Sequence, residues 1–242
     1  MPGRAEDGAA VAVVIPAYEA ADTIPGVVSG VVRALPGAAV YVVDDGSRDK
    51  TGDKAGEVGR GKGVTVLAHP RNLGKGAALR TGIGRALADG ARVVVTLDAD
   101  GQHAPAELPR LLAPLASDEA DLVLGARART AAMPWRRRCT NWLSAALASR
   151  IGGQPIADAQ TGFRAFSRAV AHAVRPAGSR YDFETAFLLQ ALARGFRVRS
   201  VPVATIYDGG GSHFRSWADS WRLACVFARY GRRIVLGAPR RS

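Results

Sequence analysis

Two carboxylates one residue apart, Asp98 and Asp100, stand where a β-branched run stops, in Thr96-Leu97-Asp98-Ala99-Asp100-Gly101-Gln102-His103. At that spacing both can approach one hard cation, and Gln102 adds a neutral oxygen two residues on. Mg2+ and Mn2+ take such oxygen ligands while keeping positions open for a substrate diphosphate. A second acidic turn, Asp44-Asp45-Gly46-Ser47-Arg48-Asp49, follows another such run. A carboxylate there can accept hydrogen bonds from a nucleotide ribose or base. The same residues also suit an Asx turn with Asp49 as a helix N-cap. Two familiar phosphate loops are absent. Arg71-Asn72-Leu73-Gly74-Lys75-Gly76 has no Ser or Thr after Lys75 and no glycine at 69, so it is not a Walker A loop. No strand leads into G-x-G-x-x-G, which disfavours a dinucleotide fold. Gly74 and Gly76 read as small residues that let a helix start pack closely. His69, His103 and His172 lack metal-ligand spacing, and only His103 falls at the edge of the acidic cluster.

These residues need a scaffold that brings strand ends together. Apolar runs at Val11–Ile15, Val40–Val43, Val64–Leu67, Val93–Leu97 and Leu122–Leu124 predict strands, with helices between them near Thr23–Leu35, Thr51–Val58, Lys75–Ala88 and Ala106–Leu115. Strands without polar alternation, separated by helices, predict an α/β fold, a mostly parallel sheet covered on both faces. Such sheets bind ligands at the carboxyl ends of their strands, where Pro16–Tyr18, Asp44–Ser47 and Asp98–His103 fall. The second half predicts a helix over Cys139–Ile151, a segment Ala157–Phe166, a helix over Phe183–Arg194, a strand over Arg197–Val203 and a final helix from Phe214 to Leu236.

The 242 residues are 48% hydrophobic, with two cysteines. That excludes a disordered chain and a disulfide scaffold, and it leaves room for a large core. The cysteines, Cys139 and Cys225, form no close pair, which predicts a reduced setting. No run reaches the length of a membrane span, and the first residues do not read as a signal peptide.

The net charge of +12 is unevenly placed: residues 1–125 carry −3, and residues 126–242 carry +15 and all four tryptophans. A bias toward arginine cannot segregate acids from bases along a chain, so the second half is expected to meet an anionic partner. The acidic first half and the lack of an aromatic-rich basic strand disfavour nucleic acid. In the final helix Arg215, Arg222, Arg229 and Arg233 gather opposite an apolar arc that includes Trp217, Trp221 and Phe227. This face suits either core packing or an anionic membrane surface.

Together, Ile15–Ala20, VVDDGSRDKT, RNLGKGAALRTGI, TLDADGQH, LVLGAR, ADAQTGFRAF and SVPV resemble glycosyltransferase family 2 with the GT-A fold. The nearest branch is that of the polyprenyl-phosphate (dolichyl-phosphate) mannosyl- and glucosyltransferases. The resemblance implies that Pro16, Tyr18, Val43 and Asp45 contact the nucleotide, that Asp98 and Ala99 line the diphosphate, and that Asp100 and Gln102, with Asp98, hold Mg2+ or Mn2+. Arg127 and Arg137 would grip the phosphates of donor and acceptor, for which planar guanidinium forks are suited. Asn141 would meet the acceptor. The family often places its glutamate one position later than Glu19, and a lysine where His213 stands beside Arg215; Glu19 as a nucleotide contact, and His213 and Arg215 as acceptor contacts, carry those departures.

The implied reaction is inverting, metal-dependent transfer of a hexose to a polyprenyl phosphate. GDP-mannose is the favoured donor and a UDP-hexose the alternative. An anionic acceptor needs no general base. A hydroxyl acceptor, soluble or protein-linked, would need one, and Asp158 or Glu184 are the candidates, with Asp158 equally a partner for Arg164 and Glu184 equally a helix cap. The expected organisation is a flexible N-terminus (1–10), a nucleotide-sugar half (11–126), an acceptor half of the same domain (127–213) and a basic amphipathic helix and tail (214–242). The expected location is the cytoplasm, peripheral on the cytoplasmic face of the membrane.

Overall fold

The first strand, β1 (Val11–Ala17), is apolar at every position, and its alternate side chains point to opposite faces. It must therefore be covered twice. In the computed structural model, which describes residues 10–127, 135–176 and 182–204, it is. On one face Val13, Ile15 and Ala17 pack with Ile24, Val27, Val28 and Val31 of α1 (Ile24–Ala34). On the other, Ala12 and Val14 meet Ala78, Leu79 and Ile83 of α3 (Lys75–Ala88).

The remaining elements are β2 (Ala39–Asp44), α2 (Thr51–Gly59), β3 (Val64–Ala68), β4 (Val93–Thr96), α4 (Leu108–Ala116), β5 (Leu122–Arg127), α5 (Trp135–Gly152), β6 (Arg164–Ser167), α6 (Arg168–Ala173), α7 (Asp182–Ala193) and β7 (Val198–Val203). The sheet order is β3-β2-β1-β4-β6-β5-β7. All adjacent pairs are parallel except those of β6, which runs antiparallel between β4 and β5. This is the GT-A-like, mostly parallel sheet that the sequence predicts.

The predicted strands and helices of the first half all form. The segment Ala157–Phe166 holds a strand that the sequence pattern did not reveal. Four residues are too few to show a period, and Arg164, whose charge argues against burial, stands at its start. The Phe214–Leu236 helix lies outside the described residues. Asp49 makes the expected Asx contact, accepting from the Thr51 amide at 3.0 Å, but Lys50 holds the cap position itself.

Close approaches fix the loops that carry the polar residues. Gly46 has φ +73, and a Cβ there would strike the backbone of Arg71 and Asn72, so the turn after β2 lies directly on the loop before α3. A Cβ on Gly162 would stand 2.5 Å from the Asp98 carboxylate, so the chain entering β6 passes against the end of β4. Next to it, Phe163 is fully buried and tilts against the His103 ring at 5.1 Å. Phe163→Ala is expected to cost about 3–5 kcal/mol in urea unfolding, because it opens a cavity in a fully buried core cluster.

Candidate active site

β2, β1 and β4 end side by side at one edge of the sheet. Pro16 lies opposite Val43 in register, and the Asp45 amide bonds the Ala17 carbonyl at 2.8 Å. Beyond this edge Tyr18 is exposed. Asp98, Ala99, Asp100 and Gln102 follow β4, Arg127 ends β5 and Asp158 precedes β6. Because β6 is reversed, its start, not its end, reaches this edge.

Asp45 is buried, and its carboxylate is engaged by three groups. Oδ1 meets His69 Nδ1 at 2.6 Å and accepts from the Leu73 amide at 3.0 Å; Oδ2 accepts from the Gly74 amide at 2.7 Å. The His69 Nε2 contacts Thr81 Oγ1 at 3.0 Å. Asp45 thus clamps the end of β2 to the loop that begins α3. Glu19 braces a neighbouring pair of turns. Its amide donates to Ser47 Oγ at 3.0 Å and its carboxylate accepts from the Arg48 amide at 2.8 Å, which holds the residue at φ 50.

The centre of the site is Lys75, which the phosphate-loop test passed over. Its Nζ lies 2.7 Å from Asp98 Oδ1 and 2.7 Å from Glu184 Oε1 on α7. Burial works against the ammonium, but the two carboxylates outweigh it and raise the lysine pKa. Burial likewise opposes ionised Asp98, and Lys75 overcomes it and holds that carboxyl below its ordinary range. A sequence signal for Lys75 existed: only four of the 33 basic residues are lysine, so a lysine retained at a helix start in an arginine-rich chain stands out.

Asp158, 1% exposed in its side chain, pairs with Arg127, whose Nε is 2.8 Å from Oδ2. This corrects the expectation of an Asp158–Arg164 pair. Arg164 instead donates to three backbone carbonyls, those of Thr161 at 2.7 Å, Glu184 at 2.6 Å and Ala159 at 3.0 Å. Burial brings its pKa down to about 10, so it stays charged at neutral pH. Nor is Glu184 a helix cap: one carboxylate oxygen goes to Lys75, and Oε2 is buried with no hydrogen-bond partner among the described residues. Asn141 Oδ1 and His103 Nδ1 are also buried with no partner among the described residues. Burial lowers the His103 pKa, which favours the neutral ring. The Arg137 side chain, His213 and Arg215 lie outside the described residues.

The donor set for a divalent cation is partial. Among the described residues no three His, Cys, Asp or Glu side chains converge as a closed cage. Asp100 is exposed, and Gln102 adjoins it, its backbone N–H donating to Asp100 Oδ1 at 3.0 Å. Partial desolvation, reinforced by the charge of Asp98, pushes the Asp100 carboxyl up. A cation beside Asp100 would relieve that repulsion. One or two carboxylates with the rest supplied by phosphate and water is how Mg2+ is commonly held, so these residues fit the group.

A mostly parallel sheet with acidic turns on adjoining strand ends, facing an arginine–carboxylate pair, has the architecture of GT-A glycosyltransferases. The chain belongs to glycosyl transferase family 2, whose model matches residues 12–175, and it is a glycosyltransferase. It is 33% identical over 223 residues to the polyprenol monophosphomannose synthase of Mycolicibacterium smegmatis, covering 84% of each chain. It is 30% identical over 201 residues to the undecaprenyl-phosphate mannosyltransferase of Micrococcus luteus, covering 80% of this chain and 82% of the relative. With the UDP-N-acetylglucosamine–dolichyl-phosphate N-acetylglucosaminyltransferase of Methanococcus voltae it shares 29% over 213 residues, covering 80% and 84%. Among solved structures, the glucosyl-3-phosphoglycerate synthase of Mycobacterium tuberculosis in complex with Mn2+, UDP and phosphoglyceric acid superposes with a TM-score of 0.72 at 21% identity, covering 96% of this chain and 80% of that one. That likeness bears on the fold alone.

Two substitutions test the geometry in metal-free protein. Lys75→Met leaves Asp98 and Glu184 without their shared cation and is expected to cost about 2–3 kcal/mol. This is less than a fully buried pair would cost, because about a quarter of the Lys75 and Asp98 side chains still meets water. The folded Asp98 pKa is depressed, so its stabilisation is present above the unfolded value of about 4 and is lost as pH falls. The Lys75 pKa is raised, so its contribution is present below about 10. The Lys75→Met penalty should therefore be largest near neutrality and shrink in acid, as urea titrations across pH would measure. His69→Ala should cost about 1–2 kcal/mol by loosening the Asp45 clamp, read as a lowered thermal midpoint.

Proposed function

We propose that the protein transfers a hexose from a nucleotide sugar to a polyprenyl phosphate, with GDP-mannose the favoured donor and a UDP-hexose the alternative. The observation that carries this reading is the state of the two candidate bases. Asp158 is bound to Arg127 and Glu184 to Lys75, so neither is arranged to take a proton from a hydroxyl. An acceptor that is already anionic needs no such group. Relatives named for transfer to polyprenyl phosphates, and the +15 charge of residues 126–242, support the same reading.

In this proposal residues 11–126 bind the donor and 127–213 the acceptor. Pro16, Tyr18, Val43 and Asp45 form the nucleotide end, with Glu19 bracing it. Asp98 and Ala99 border the diphosphate, and Lys75 keeps Asp98 ionised and fixed. Asp100 and Gln102, with Asp98, would hold Mg2+ or Mn2+, which supplies charge neutralisation for the departing diphosphate. Arg127, oriented by Asp158, holds positive charge between the two phosphates and offsets their repulsion. Arg137, Asn141, His213 and Arg215 complete the acceptor side. The phosphate oxygen then attacks the anomeric carbon in one in-line displacement that inverts it, and the nucleoside diphosphate leaves. The enzyme works as a peripheral protein on the cytoplasmic face of the membrane; no helix among the described residues is long and apolar enough to cross one.

The test is turnover of a nucleotide-sugar panel with Mg2+ or Mn2+, with and without polyprenyl phosphate. Lipid-dependent release of GDP or UDP is expected, falling about a hundredfold or more in Asp100→Ala. Donor binding with no lipid-dependent release would overturn the acceptor assignment.

A further inference from the structure

Helix α5 has two unlike faces. Inward it buries Asn141, Ser144, Ala145 and Ala148. Outward it exposes Trp142 at 58%, Leu143 at 53% and Leu147 at 36%. Ala146 and Arg150 are exposed on the same side. At 100° per residue, positions 142, 143, 146, 147 and 150 fall on one continuous stripe. Three of the five large apolar side chains exposed among the described residues therefore lie together on a single helix face. An apolar stripe of this kind on a protein surface marks an interaction site more often than scattered leucines do.

The charge around the stripe says what it fits. The helix sequence, WRRRCTNWLSAALASRIG, contains four arginines and no acid. Arg136, Arg137 and Arg138 fall in its first turn and Arg150 near its end, so cationic positions bracket the apolar stretch along the chain. A tryptophan-bearing apolar stripe flanked by arginine is the composition of a helix that lies in the plane of an anionic lipid interface. A neutral protein partner would not call for the arginines, and a second copy of this helix would bring like charges together.

The helix is also correctly placed. It follows Arg127, the end of β5, after residues 128–134. A lipid whose chain stays in the bilayer can offer its phosphate to Arg127 only if the protein surface beside that strand end lies on the membrane.

We propose that the outer face of α5 is a membrane-docking surface, seated on an anionic phospholipid bilayer through Trp142, Leu143 and Leu147. This rests on the polyprenyl-phosphate reading above and adds which surface meets the membrane.

The test is vesicle flotation of the full chain, comparing wild type with the double variant Trp142→Gln, Leu147→Gln. Both positions are solvent-exposed, so an unchanged thermal midpoint is expected. Wild type should float with phosphatidylglycerol vesicles and much less with phosphatidylcholine vesicles or in high salt. The double variant should bind anionic vesicles about tenfold more weakly, and Trp142→Phe should bind nearly as wild type. Equal flotation of the double variant would overturn the proposal, as would a wild-type dimer that the variant dissolves, or a drop in midpoint showing that the stripe is covered by the chain itself. Turnover with a short-chain, water-soluble polyprenyl phosphate separates the two readings. If both proteins turn it over while flotation is unaffected, only the docking surface fails. If flotation is lost as expected and neither protein turns it over, the acceptor reading fails and the docking surface stands.

Discussion

A single ammonium group holds the two halves of this site in register. Lys75, at the first residue of α3, reaches Asp98 after β4 and Glu184 on α7, so one cation ties together elements from three parts of the chain. Two carboxylates this close to each other and largely withdrawn from water would otherwise repel and favour protonation. With Lys75 between them Asp98 stays charged, and desolvation together with that charge pushes up the carboxyl of Asp100, the more exposed of the two aspartates after β4. The asymmetry is physical: Asp98 has the Lys75 ammonium beside it, and Asp100 faces solvent.

The arginine side of the site follows the same rule. Arg127 is positioned by Asp158, and Arg164 by three backbone carbonyls. Asp158 and Arg127 thus meet at the edge where β4 and β5 end. The reversed strand β6 makes this convergence possible, because it turns the segment from Asp158 to Phe163 toward the edge at which β4 and β5 end.

Much of this was legible beforehand. Runs such as Val11–Ile15 and Val93–Leu97, apolar on both faces, could only be strands of a covered sheet, and acidic turns at their ends followed from that. Asp98 and Asp100 stood out because charge at a strand end is conspicuous, whereas Arg127 was pointed to by the family resemblance. Lys75 was missed because a glycine-flanked lysine was weighed only against a phosphate loop. Partners joined across 28 residues or more, such as Glu19 with Ser47 and Lys75 with Glu184, leave no periodic trace. The β6 strand was hidden by its shortness, and the Asp158 pairing was misassigned because sequence proximity favoured Arg164. What a pattern cannot supply is which of two nearby cations an acid will face.

Arg164 has a further consequence. Its guanidinium is buried, donates to three backbone carbonyl oxygens, feels the charge of Glu184, Asp158 and Asp98, and remains charged. A fixed charge inside the protein is screened far less by dissolved ions than one on its surface. The molecule therefore has two electrostatic ranges: a surface whose attraction fades as ionic strength rises, and an interior potential that persists through the same change. Raising the ionic strength therefore weakens charge interactions at the surface while leaving those inside the fold almost untouched.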